Sequence, residues 1–166
     1  MRLLPARQQN GSRARRYRRR AMDEPGEDTT AEPFSVGPKV QLRVGPSPIH
    51  GLGVFAEQAI EPGHVIEICP TIFVPDEQGP HIDQTILREY VYPWSDGVIV
   101  VLGYGSIYNH AVEANAHHIQ VPEPRFGVGV HVVAAARPIA AGEEITVNYT
   151  GIVGGRHPLW FDDGPP

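Results

Sequence analysis

Residues 103–116, GYGSIYNHAVEANA, deliver an amide, Asn109, and an imidazole, His110, just after the apolar run VIVVL of residues 98–102. Polar groups of this kind on a loop either bind a polar ligand or satisfy buried backbone. A second candidate is HGLGVFA, residues 50–56, where Gly51 and Gly53 flank Leu52. Missing side chains let a backbone approach a ligand or another strand, and a plain turn is the alternative. A dinucleotide site would need a third glycine and a following helix, and this segment offers neither. The third is GEEITVNYTG, residues 142–151, whose alternation Ile145, Val147, Tyr149 puts the tyrosine on the apolar face of a strand. A buried phenol needs a hydrogen-bond partner, so Tyr149 is either a bonded core residue or a group aimed into a pocket.

The elements that must position these groups read as short strands. From Lys39 onward, apolar runs such as KVQLRV, HVIEIC, TIFVP, YVYPW, FGVGVHVVAAA and EEITVNY are separated by Gly, Pro and polar turns. YVYPW meets VIVVL across Ser95, Asp96 and Gly97, a hairpin signal. No segment keeps a helical period over three turns, and QTILREY, residues 84–90, is the best short helical candidate. The expected class is mostly β. An internal echo supports two related units: Ala56, Ile60, Gly63 and Ile66 recur with the same spacing as Ala135, Ile139, Gly142 and Ile145. Each copy reads as a strand, a core isoleucine, a turn closed by glycine and a return strand.

Composition narrows the function classes. The 166 residues, 41% hydrophobic, suffice for one domain with a real core. A single cysteine, Cys69, excludes an intrachain disulfide and a thiolate-rich zinc site. His117 and His118 are adjacent on a strand and point to opposite faces, so they do not share a metal, and no metal site is expected. No window approaches the roughly 18 apolar residues needed to span a bilayer, and no secretory signal is evident, so a soluble cytoplasmic or nuclear protein is expected.

The net charge of -5 conceals a division. Residues 1–20 hold eight arginines and no acid, whereas residues 21–166 set six Lys and Arg against all 19 acids, a formal -13. The arm SRARRYRRR reads first as a solvated tail, with contact to nucleic acid or an acidic partner, or a targeting presequence, as weaker alternatives. Met22 offers an alternative start that would leave the arm untranslated. The expected organisation is a basic arm and acidic linker over 1–36, a domain over 37–152, and a C-terminal segment over 153–166.

Taken together and in this order, Gly-x-Gly-Val-Phe-Ala, the Asn-His loop with its Ala-Asn, and Gly-Glu-Glu-Ile-Thr-x-Asn-Tyr resemble the SET-domain lysine methyltransferases over about residues 40–161. The resemblance implies small β-sheets with a C-terminal pseudoknot, in which the C-terminal segment crosses the Asn-His segment. It implies S-adenosylmethionine as methyl donor, with Gly51, Leu52 and Gly53 at its amino-acid end, Asn109 and His110 at its amine and adenine, and Tyr149 and Trp160 also in contact. Tyr149 and Tyr104 become the expected catalytic groups, and Tyr92, Tyr108 and Phe161 the expected walls of a lysine channel.

On that likeness the acidic body is suited to attract a basic, lysine-bearing protein. The family's usual serine after Asn-His is here Ala111, its Pro-Asn is Ala114-Asn115, and its cysteine-rich zinc motif is absent from this sequence. The implied activity is methyl transfer to a lysine side chain; the alternative is a SET-like binding module that has lost catalysis.

Overall fold

A computed structural model describes residues 35–156 and 159. The basic arm, nearly all of the linker, Trp160 and Phe161 lie outside the described residues.

The apolar runs become strands: β1 (Gly37–Pro38), β2 (Leu42–Pro46), β3 (Leu52–Ala56), β4 (Val65–Pro75), β5 (Val91–Trp94), β6 (Gly97–Val101), β7 (Asn109–His110), β8 (Ala116–Pro122), β9 (Gly129–Ala135) and β10 (Glu144–Val147). Short ladders join along the path β2-β3-β10-β8-β9-β4-β6-β5, with β1 on β4 and β7 on β10. The hairpin of β5 and β6 forms where expected, Trp94 facing Gly97. QTILREY forms a 3-10 turn over Ile86–Tyr90, capped by the Thr85 hydroxyl, which accepts from the Leu87 amide at 3.2 Å. Without a buried residue, this turn lacks the apolar stripe that would extend it into an α-helix.

The echo of Ala-Ile-Gly-Ile is a reciprocal clasp. Ile60 and Ile139 exchange both backbone hydrogen bonds, at 2.9 and 3.0 Å. The Gly63 amide donates to the Ala135 carbonyl at 2.8 Å, and the Gly142 amide to the Ala56 carbonyl at 2.7 Å. Gly63 and Gly142 close matching turns at φ +80° and +86°, a left-handed conformation that glycine adopts without steric cost. Ala56, Ile60, Ile66, Ala135, Ile139 and Ile145 then lie in one buried cluster with Val54, Tyr108, Ala116, Val133 and Val147. Each Å² of apolar surface that this cluster removes from water stabilises the fold by about 25 cal/mol.

β10 lies between the glycine-loop strand and the Asn-His segment. It pairs antiparallel with β3, and parallel with β7 and with Ala116 of β8. Asn115 staples the crossing: its Oδ1 accepts from the Thr146 amide at 2.8 Å, and its Nδ2 donates to the Glu144 carbonyl at 2.7 Å. Beyond β10, the Gly154 amide donates to the Val112 carbonyl at 2.8 Å, binding the C-terminal segment to the 111–115 loop. Asn109, His110 and Tyr149 are therefore brought together by strand pairing.

Candidate active site

The glycine loop is anchored from beneath. Asn109, 7% exposed, donates through Nδ2 to the carbonyls of His50 and Leu52, at 3.1 and 3.0 Å, and to Glu144 Oε1 at 2.8 Å. The same carboxylate accepts from Ser47 Oγ at 2.8 Å, and Ser47 Oγ in turn accepts from the Ile49 amide at 2.9 Å. A Cβ on Gly53 would collide with Glu144 Oε1, so this position needs glycine for close approach. Gly51, at φ +48°, has nothing near the place a Cβ would take, and Leu52 is exposed. The loop thus presents open backbone outward while its inward carbonyls are bonded. Glu144 and Ser47 were not singled out from the sequence; Glu144 was visible only as part of GEEIT.

Beside this loop, His110 and Tyr149 are joined twice. The Tyr149 amide donates to His110 Nδ1 at 3.1 Å, and the ring centroids lie 5.2 Å apart. An accepting Nδ1 makes Nε2 the protonated nitrogen of the neutral ring. The Tyr149 hydroxyl donates to the Tyr108 carbonyl at 3.0 Å, so the residue is held both at its backbone amide and at its hydroxyl. Burial, and next the Tyr90 phenol, raise the Tyr149 hydroxyl above the ordinary tyrosine range and keep it a neutral donor.

A second aromatic group stands against Tyr149. Tyr92 meets it edge-on at 6.5 Å between centroids, and packs on His131 at 4.7 Å and on His118 at 5.2 Å. The two imidazoles stack at 4.7 Å. His118 Nε2 bonds the Asn148 carbonyl at 3.0 Å, whereas His131, 1% exposed, has a buried Nδ1 with no hydrogen-bond partner. Burial pulls His131 down to about 3, with the neighbouring His118 adding to the effect, and burial also lowers His118. Both rings are uncharged at neutral pH, so this wall is aromatic and lacks positive charge. Neither histidine was expected here; the signal was a histidine inside each apolar strand, in HHIQV and VHVVA.

Of the expected site residues, Gly51, Leu52, Gly53 and Asn109 form one network, while His110, Tyr149 and Tyr92 form its neighbour. Tyr108 is a correction to the expected channel wall. Its side chain lies in the core, 1% exposed, and its hydroxyl donates to Glu67 Oε2 at 3.0 Å, leaving its carbonyl as the part that reaches Tyr149. Tyr104 packs on the same core cluster, and its backbone amide donates to Glu67 Oε1 at 3.1 Å. Tyr90, exposed at the end of its 3-10 turn, carries no site signal in the sequence, where it closes the segment with helical spacing.

The loop leaves open backbone at Gly51 and exposes Leu52, while the Glu144 carboxylate beneath it is bonded to Asn109 and Ser47. Among the described residues no three His, Cys, Asp or Glu side chains come together to hold a metal ion, and no helix is long and apolar enough to cross a membrane.

Comparison with known proteins agrees with this architecture. The family model for the SET domain matches residues 51–150. A histone-lysine N-methyltransferase of Schizosaccharomyces pombe, specific for H3 lysine-37, is 34% identical over 115 residues, covering 68% of this chain and 71% of its own. A crystal structure of a Plasmodium falciparum protein described as a histone methyltransferase superposes with a TM-score of 0.60 at 30% identity, covering 74% of this chain and 98% of the other. A Polycomb Repressive Complex 2 structure from Chaetomium thermophilum shares the fold alone, with a TM-score of 0.56 at 22% identity over 66% of this chain and 15% of the other. With the clasp of paired repeats, the β10 crossing and the Asn109, His110 and Tyr149 group all in one domain, this chain belongs to the SET domain family.

Proposed function

We propose that this chain is a protein-lysine methyltransferase that uses S-adenosylmethionine and acts on a basic protein, with a histone as the substrate class suggested by its yeast relative. The observation that carries the reading is the double fixing of Tyr149, by His110 Nδ1 and by the Tyr108 carbonyl, next to the loop that Asn109 anchors. When bound, S-adenosylmethionine supplies a methyl group already activated by its sulfonium.

The protein's task is then alignment and desolvation. Gly51 and Leu52 offer backbone to the donor, Asn109 and Glu144 hold that backbone in place, and His110, next in the chain to Asn109, holds the Tyr149 amide through Nδ1. Trp160, outside the described residues, is proposed as a further donor contact, and Phe161 as a channel wall. Tyr149 and Tyr92 flank the approach of the lysine amine. That amine must be neutral to react, which at pH 7 costs about 5 kcal/mol from an ordinary lysine pKa near 10.4. An aromatic wall lowers this cost by disfavouring the charged form. The Tyr149 phenol, its one proton committed to the Tyr108 carbonyl, offers its oxygen as a fixed acceptor that orients the reacting groups without having to reorganise.

Outside the arm, the body carries a formal -13, which suits attraction of a basic lysine-bearing segment and, in this reading, a nuclear setting. Incubation with S-adenosylmethionine and core histones tests the proposal. Lysine-borne mass increments of one or more methyl groups support it. Binding of S-adenosylhomocysteine without transfer to any basic protein would instead make the chain a binding module.

A further inference from the structure

Glu67 lies within the apolar run VIEIC of β4, 1% exposed, and takes no part in the ion pairs formed among the described residues. Both of its oxygens accept hydrogen bonds. Oε1 accepts from the Tyr104 amide at 3.1 Å and Oε2 accepts from the Tyr108 hydroxyl at 3.0 Å, while the Cys69 thiol is pushed up first by burial and next by the Glu67 carboxyl group. A buried carboxyl group without a cation is costly, and an apolar side chain in this strand would avoid that cost. Its placement therefore asks for a reason beyond packing.

We infer that Glu67 is a positioning residue for Tyr149, a role that rests on the methyltransferase reading above. The carboxyl group fixes both ends of the turn over residues 104–108, inside which the Tyr104 carbonyl accepts from the amides of Ile107 and Tyr108 at 2.8 and 3.3 Å. Gly103 enters this turn at φ +70°, and a Cβ there would collide with Glu67 Oε1, so the turn is seated directly on the carboxyl group. The carbonyl that leaves the turn at Tyr108 receives the Tyr149 hydroxyl at 3.0 Å. Glu67 thus sets, through Tyr108, where the Tyr149 phenol points. Glutamine cannot substitute, because its NH2 would face a donor and leave a buried group unsatisfied.

The test compares Glu67→Gln and Tyr108→Phe with the unmodified chain in methyl transfer from S-adenosylmethionine to core histones, each alone and combined with Tyr149→Phe. Each variant is expected to lower kcat about tenfold or more while both KM values stay within about threefold. On the Tyr149→Phe background the same changes should cost less than about twofold, since the hydroxyl they position is gone. Equal losses on both backgrounds, or losses confined to KM, overturn the inference. The 13Cζ resonance of Tyr149, which senses the hydrogen bond of its hydroxyl, supplies a readout without turnover and should shift in both variants. If the unmodified chain transfers no methyl group, the proposed function fails, and Glu67 is judged on this resonance, an unchanged position refuting its role. Should Glu67→Gln not fold, Tyr108→Phe, which removes only a hydroxyl, decides.

Discussion

Asn109 Nδ2 and Glu144 Oε1 lie 2.8 Å apart, and this bond joins the Asn-His segment to β10 directly beneath the glycine loop. Because the same Nδ2 also holds the carbonyls of His50 and Leu52, Asn109→Ala frees the loop from its anchor. Affinity for S-adenosylhomocysteine should fall by about 1–3 kcal/mol, the cost of leaving such groups unpaired. Isothermal calorimetry checks this. Unchanged affinity would remove Asn109 from the donor site. Glu144→Gln should weaken binding in the same direction, since it removes the negative charge beside Gly53.

The buried imidazole of His131 makes stability depend on pH with a definite sign. Burial holds it down to about 3, below the 6.5 of a free histidine, so the unfolded chain takes up a proton through a range where the folded chain does not. This contribution is complete above pH 6.5 and is lost as pH falls toward 3, at up to about 1.4 kcal/mol per pH unit. His118, lowered in the same direction, adds to the decline. Between pH 6.5 and 5, urea unfolding should show His131→Phe losing roughly 2 kcal/mol less stability than the unmodified chain. Parallel pH curves for the two proteins would contradict this account of His131.

Asn115 is a test of the crossing. Its side chain, in a residue 2% exposed, occupies the Thr146 amide and the Glu144 carbonyl and also donates to Glu143 Oε1 at 2.9 Å. Asn115→Ala leaves two buried backbone groups of β10 without partners and should cost about 2–4 kcal/mol in unfolding free energy. Urea denaturation reads the change. A loss below half a kcal/mol or so would mean that β10 is held by packing alone.

Much of the fold was legible because its signals are local. Alternating apolar runs bounded by Gly and Pro marked the strands, and the Ala-Ile-Gly-Ile echo proved to be a pair of turns that bond each other across Ile60 and Ile139. The site was legible only in part. Asn109, His110 and Tyr149 stood out as polar or amphipathic groups at strand ends, where the pairing of β7 with β10 unites them. Glu67 and His131 carry no decisive signal in the sequence, and His118 stands out only as a metal ligand to be ruled out, because each lies inside an apolar strand, and only the neighbouring strands decide whether such a residue is stray or partnered. Tyr108 was misplaced for a related reason. A tyrosine beside Asn-His can turn its ring either way, and the Glu67 carboxyl group, over forty residues earlier in the chain, draws it into the core.

The central claim is that Tyr149 orients a methyl transfer, and the most direct measurement compares the unmodified chain with Tyr149→Phe. Both are assayed for S-adenosylhomocysteine affinity by calorimetry and for lysine methylation of core histones by mass spectrometry. The ring still packs on the core and against His110 and Tyr92, so affinity should agree within about threefold while kcat falls about a hundredfold or more. Turnover within about twofold of the unmodified chain would contradict the account, because the bond from the Tyr149 hydroxyl to the Tyr108 carbonyl would then serve the fold and not the reaction.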